Sequence, residues 1–259
     1  MNQEFDKFKK IAYLPIDIPY EKLDLDELEV FHDRNYLWPP DVVTSNYGNK
    51  PIKDNLTTKD IEIHPHKFWR IVPLLGQMDL EEFNDPKAVR RSWLNRLDRK
   101  RKVNVHPNLP KHLYGLIKLI NQLPIQCNHA EIVRQRKNVP LHNDASRGAN
   151  EGQESLLPFE PSGYRLLIND IRKDSFYFSP TYRVEDRDTK HYMNLPMTTN
   201  AFVINELDMP HGADKIDEQK WIVTTTGSIK SDSHLKMLEK SFKKYKDCII
   251  RYDHFEINS

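Results

Sequence analysis

The chain has 259 residues, of which 38% are hydrophobic, 30% charged and 10% aromatic. With 39 basic and 38 acidic residues the formal net charge is +1, which gives no global reason to seek nucleic acid or an anionic membrane. Eleven tyrosines and eleven phenylalanines argue against general disorder, and eight glycines without a repeat period exclude collagen-like and low-complexity classes.

Two cysteines, Cys127 and Cys248, stand far apart in no motif, which fits a reducing compartment better than a disulfide scaffold. The opening MNQEFDKFKK is charged where a signal peptide needs an apolar region. No apolar run reaches the roughly 20 residues that span a bilayer. The expectation is one cytoplasmic globular domain over 1–259 with no membrane segment. Its oligomeric state is not legible.

In chain order, residues 1–124 read as helix and loop. Leu25, Leu28 and Phe31 set an amphipathic stripe over 24–36, stopped by Trp38-Pro39-Pro40. Residues 41–66 read as loop. Asp85-Pro86 offers an N-cap followed by proline at the first helical position, so 86 to about 99 is expected to be helix. Prolines 110 and 124 bracket another over 111–123. From 125 to 230 the pattern changes to short segments rich in β-branched and aromatic residues: 130–136, 164–169, 175–178, 201–205 and 221–226. No helical pattern of 10–15 residues separates them, which favours an antiparallel barrel or jelly roll over βαβ units. Helical spacing returns at Leu235, Leu238, Phe242, Tyr245 and Ile249, with Ser231 or Asp232 as the expected cap. The predicted fold is therefore mainly β with flanking helices: a jelly-roll core at 125–230 and a C-terminal helical segment at 231–259.

Chemistry concentrates in Val139-Pro140-Leu141-His142-Asn143-Asp144, at the end of a predicted strand. Residues two apart on an extended chain point to one side, so His142 and Asp144 can reach one metal. His211 follows the strand 201–205, and Lys220 opens KWIVTTTGS nine residues later. Two histidines and one carboxylate on one face match the facial triad of non-haem Fe(II) sites, which leaves positions open for cosubstrate and oxygen. A bare His-X-Asp is more often a polar turn, and eleven histidines make coincidence easy. The joint order carries the weight.

The order VPLHND, YRLLIND, AFVINELDMPHGAD, KWIVTTTG resembles the double-stranded β-helix, cupin-like fold of Fe(II)/2-oxoglutarate-dependent dioxygenases. Within that superfamily it is most similar to the aspartyl/asparaginyl β-hydroxylase-like branch, which includes bacterial proline hydroxylases. The resemblance covers roughly 125–230. It implies His142, Asp144 and His211 as iron ligands and Lys220 as the cation for the far carboxylate of 2-oxoglutarate. Arginine is usual at that position in this branch, and lysine offers a point charge without arginine's planar fork. Thr224, on the same strand face, would add a hydroxyl donor to that carboxylate. Arg165 matches a carboxylate-binding arginine, and an anionic partner would offset the cost of burying it among Leu166, Leu167 and Ile168. Readings of Lys220 and Arg165 as solvated strand-end charges stay open.

The segment 148–163 is an insertion, read either as a lid over substrate or as a passive loop. Arg147 is a candidate substrate contact. Asn143 is a second, with a plain turn residue as the alternative. The implied cofactors are Fe(II), 2-oxoglutarate and O2, and the implied reaction is hydroxylation of an unactivated C–H bond in an amino acid or amino-acid side chain. An intact Asp144 argues against halogenation, which needs that position vacated for halide. The partner is a small molecule or a peptide. The run 87–102 is basic enough to be considered for nucleic acid, but most of its charges would lie on the solvated face of a helix. Two other classes remain: a cupin-like metal protein that does not use 2-oxoglutarate, for which Lys220 has no purpose, and a non-catalytic β-sandwich, in which the histidines would not converge.

Overall fold

The computed structural model describes residues 3–19, 25–37, 70–94, 100–135, 139–142, 158–159, 163–169, 171–180, 190–206, 209–214 and 220–252. Its strands are β1 (Ile11–Pro15), β2 (Arg70–Gly76), β3 (Asn104–Val105), β4 (Ile125–Gln135), β5 (Val139–His142) and β6 (Tyr164–Leu167). They continue with β7 (Lys173–Phe178), β8 (His191–Asn194), β9 (Ala201–Ile204), β10 (His211–Ala213), β11 (Lys220–Ile229) and β12 (Ile250–Arg251). The helices are α1 (Leu28–Asn35), α2 (Pro86–Leu94), α3 (Tyr114–Gln122) and α4 (Ser231–Lys244).

Two antiparallel sheets result. The large one runs β12-β1-β9-β6-β11-β4-β2-β3 and the small one β5-β10-β7-β8. From β4 to β11 the chain passes repeatedly between them: β4 is large, β5 small, β6 large, β7 and β8 small, β9 large, β10 small and β11 large. This is the connectivity of a double-stranded β-helix, so the jelly-roll expectation holds.

The strand sequences explain the layering. In β11, Trp221 and Val223 alternate with Lys220, Ile222 and Thr224, as the period of two requires. Val223, Leu166 and Ile132 join Leu116 and Ile120 of α3 and Leu238 of α4 in a core on the outer face of the large sheet. Ile222, Leu167 and Phe202 face the other way and pack with Phe178 and Met193 of the small sheet. Val133 is the register partner of Ile222, so it shares this inner face. There it packs with Phe83, Ala88 and Val89. The small sheet therefore covers one part of the inner face, and α2 with its preceding turn covers another.

The predicted strands and helices are found with shifted ends, except that the C-terminal segment expected to be helical ends its helix at Lys244 and then supplies β12. Residues 130–135 of one expected strand belong to the longer β4, and 221–226 lies inside β11; the expected loop 41–66 lies outside the described residues. Helix α2 starts as expected, with the Lys87 amide donating to Asp85 Oδ1 at 2.9 Å; residues 95–99, its expected continuation, lie outside the described set. At α4 the expected side-chain cap is not there. Lys230 is the N-cap without a side-chain hydrogen bond, and its carbonyl accepts from His234 N at 2.9 Å. The segment read as helix and loop also supplies β1, β2 and β3. IAYLP and RIVPLLG are unbroken apolar runs, whose periodicity does not separate strand from helix. β1 is buried along its whole length because it lies inside the sheet, covered on both faces.

Candidate functional site

His211 opens β10, and its register partner across the antiparallel ladder is His142, the last residue of β5. Directly opposed positions of such a ladder share a sheet face. The His211 ring is buried, with Nδ1 3.1 Å from the Met209 carbonyl oxygen. A carbonyl only accepts, so Nδ1 carries the proton and the lone pair is on Nε2. That tautomer and that backbone anchor are what a metal-binding histidine requires. Phe176 of β7 stacks on the ring at 5.6 Å with an interplanar angle of 16°. Phe178 leans on it at 6.4 Å.

Lys220 reaches the same place from the opposite sheet. It has no solvent exposure, and its ammonium lies 4.7 Å from the centroid of Phe176. Phe176 is thus flanked by the lysine cation and the His211 ring. Burial pushes the Lys220 ammonium down to about 7, because a charge taken out of water favours its neutral form. An anion beside it would reverse that shift.

Arg165 is buried in β6, with Glu206 as a carboxylate partner at 2.5 Å. Its Nη1 donates to the Tyr164 carbonyl at 3.2 Å. Thr224 pairs in register with Arg165 on one side and with Glu131 of β4 on the other. Its hydroxyl makes a long contact of 3.5 Å with Glu131 Oε1. At about 3.3 Å per residue, Thr224 lies some 13 Å beyond Lys220 along β11. Asn143, Asp144 and Arg147 lie outside the described residues, as does most of the insertion at 148–163. Its residues Pro158 and Phe159 are described. The Pro158 carbonyl accepts from His234 Nε2 at 3.0 Å, and Phe159 is buried.

The residues present fit an iron site as far as they are described: two histidine positions in register, one with its tautomer fixed. Among the described residues no three ligand-type side chains gather as a metal cluster, and the third member of the expected set is Asp144. A cavity of about 520 Å3 lies elsewhere, at α1, lined by Glu27, Phe31, Arg34 and Asn108 among others.

Sequence reasoning missed Glu131, His129, Ser92 and Glu206. His129 Nδ1 is 3.2 Å from Ser92 Oγ, and its Nε2 is 3.3 Å from Glu131 Oε2. The alternation of His129, Glu131 and Val133 was a usable signal that these positions share a strand face. Nothing in sequence reveals that α2 brings Ser92 to them.

No protein-family model matches the chain, and no curated protein sequence matches it. Similar solved structures include an oxidoreductase of the 2OG-Fe(II) oxygenase family from Burkholderia pseudomallei, at 10% identity over 85% of this chain and 87% of that one, with a TM-score of 0.38. A prolyl-4-hydroxylase from Pseudomonas putida matches at 8% identity over 48% of this chain and 69% of that one, with a TM-score of 0.31. The non-heme alpha-ketoglutarate-dependent carbocyclase SnoK from nogalamycin biosynthesis matches at 12% identity over 91% and 90%, with a TM-score of 0.35. Likeness this distant decides nothing about activity.

Proposed function

We propose that the protein is an Fe(II)- and 2-oxoglutarate-dependent oxygenase that hydroxylates an unactivated C–H bond of an amino acid or amino-acid side chain. We place it in the aspartyl/asparaginyl β-hydroxylase-like branch on its motif order. The observation that carries this reading is the meeting of Lys220 and His211 on the two sides of Phe176, with His142 in register with His211. A β-sandwich without chemistry has no reason to bury a lysine there. A metal protein without a carboxylate cosubstrate has no use for it.

In this reading His142, Asp144 and His211 hold the metal. Bound iron, with O2 and 2-oxoglutarate, supplies the oxidant for C–H hydroxylation. The chain's own contributions are these. The Met209 carbonyl keeps the proton on His211 Nδ1 and leaves Nε2 as the donor. Lys220 holds the far carboxylate of 2-oxoglutarate in a dry setting, where charge pairing is stronger than in water. Phe176 and Phe178 exclude water around it. Arg165 lines the same interior from β6 as a further cosubstrate contact, whereas Thr224, about 13 Å along β11 from Lys220, does not share the carboxylate expected from the sequence; Arg147 and Asn143 contact substrate.

The test is succinate formation from 2-oxoglutarate by the Fe(II)-loaded protein across a panel of free amino acids and short peptides. Substrate-dependent succinate with a product 16 mass units heavier is expected (one oxygen atom gained). No stimulation above the substrate-free rate by any panel member, together with no 2-oxoglutarate binding, overturns the reading.

A further inference from the structure

We propose that Glu131 is the recognition point for a protonated nitrogen, an ammonium or guanidinium, on the molecule this site acts on. The inference rests on the oxygenase reading only in calling that molecule a substrate.

Glu131 sits where two covers of the inner face meet. Two residues on, Val133 lies under α2. Across the ladder is Thr224, two residues from Ile222 under the small sheet. At this seam the carboxylate keeps 18% exposure. A chain of donors is aimed at it. The Gln77 backbone N–H donates to Ser92 Oγ at 2.9 Å, and Ser92 Oγ lies 3.2 Å from His129 Nδ1. His129 Nε2 in turn stands 3.3 Å from Glu131 Oε2. Thr224 approaches the other oxygen. Gly76 makes this packing feasible, since a Cβ there would come within 2.8 Å of Ser92 Oγ and 3.3 Å of His129 Nδ1.

The elements β2, α2, β4 and β11 thus converge to fix one carboxylate. Among the described residues Glu131 has no lysine or arginine partner, whereas Glu206 on the same interior has Arg165. At 18% exposure the carboxylate is still within reach of an incoming cation. An incoming ammonium or guanidinium would pair with the charge and be oriented by it, as hydrogen-bonded carboxylates orient cationic ligands. Glu131 is the register partner of Thr224 and so lies on the inner face that also bears Lys220, about 13 Å further along the strand direction.

The experiment is isothermal titration calorimetry of the full-length protein without metal. The cationic probes are n-butylammonium, L-lysine and N-acetyl-L-lysine methylamide, and n-pentanol and N-acetyl-L-norleucine methylamide are their neutral counterparts. At least one cationic probe should bind about tenfold or more tightly than its neutral counterpart. Glu131→Gln keeps the shape and the Thr224 contact and should abolish that discrimination while leaving the melting temperature unchanged. Ser92→Ala, which removes the hydroxyl that holds His129, should weaken cation binding severalfold. Preference for L-lysine identifies a free amino acid as the source, and preference for the blocked form identifies a peptide side chain. Equal binding of cationic and neutral probes by the wild type, or undiminished discrimination in Glu131→Gln, overturns the proposal. 2-Oxoglutarate binding, measured in parallel, bears on the oxygenase reading alone: its failure leaves the Glu131 result standing.

Discussion

A lysine ammonium without solvent exposure costs several kcal/mol of lost hydration unless its site offers a counter-charge. For Lys220 the proposed counter-charge is the cosubstrate, and a prediction follows at the scale of that residue. Lys220→Ala should raise the 2-oxoglutarate dissociation constant roughly 30- to 150-fold, the equivalent of about 2–3 kcal/mol for a charge-assisted hydrogen bond in a buried site. Iron binding should be retained. Titration of cosubstrate into the Fe(II)-loaded variant reads this directly, and unchanged affinity would assign the far carboxylate to Arg165 instead. At the histidines the expectation is starker. His142→Ala or His211→Ala should abolish stoichiometric Fe(II) binding, checked by metal analysis after gel filtration, and full occupancy in the double variant would remove the metal assignment. The product should be hydroxylated and not chlorinated even in excess chloride, because Asp144, as the proposed third ligand, would take the position a halide needs. A chlorinated product detected by mass spectrometry would withdraw Asp144 from the ligand set. The placement of His142 at a strand end was readable from the local alternation. Glu206 as the partner of Arg165 was not readable, because 41 residues separate them in the chain.

β11 shows the same division at the scale of an element. Its apolar alternation announces a strand, yet the sequence does not mark where the ladder slips. Thr226 pairs with His129 and Gly227 with Cys127, so Asn128 is the extra residue of a bulge. A Cβ on Gly227 would come within 2.0 Å of the Gln126 carbonyl oxygen. That obstacle is backbone and cannot rotate away. Gly227→Ala should therefore cost about 2–3 kcal/mol or more, at or above the upper end of ordinary overpacking. Urea unfolding should show a lower midpoint at an unchanged slope, and a shift below about 0.5 kcal/mol would mean the bulge relaxes easily. α4 makes a different use of local sequence. Its heptad-like apolar spacing was legible, but its docking depends on His234, which accepts from the Tyr164 hydroxyl at 2.6 Å and donates to the Pro158 carbonyl at 3.0 Å. Those partners come from β6 and from the end of the insertion.

For the whole molecule, the buried histidines set how stability depends on pH. Burial lowers both His106 and His234 from 6.5 to about 4. Each is neutral in the folded protein and takes up a proton on unfolding once the pH falls below 6.5. Their contribution is therefore complete above that pH and is lost as the pH falls toward 4. The slope should approach about 1.4 kcal/mol per pH unit for each histidine in that window. Denaturant midpoints measured from pH 7 to pH 4 check this. His234→Gln, which can keep one of the two hydrogen bonds, should flatten the slope by about one proton, and an unchanged slope would show that His234 does not titrate there. Among the described residues no helix is long and apolar enough to cross a membrane.

By itself the sequence determined the class of fold and most strands of the β core, and it marked a short set of residues as candidates for metal and carboxylate binding. All of these follow from interactions between near neighbours in the chain: the period of two in strands, proline and cap signals at helix ends, and the spacing of His142 from Asp144. The tertiary structure alone decided that β1, β2 and β3 widen the large sheet. It also decided that His142 and His211 are register partners, that Lys220 and His211 meet across Phe176, and that Ser92, His129 and Glu131 form one hydrogen-bonded chain. Each of these joins elements distant in sequence, and such pairings are set by the burial of whole sheet faces against one another, which no local window of residues contains.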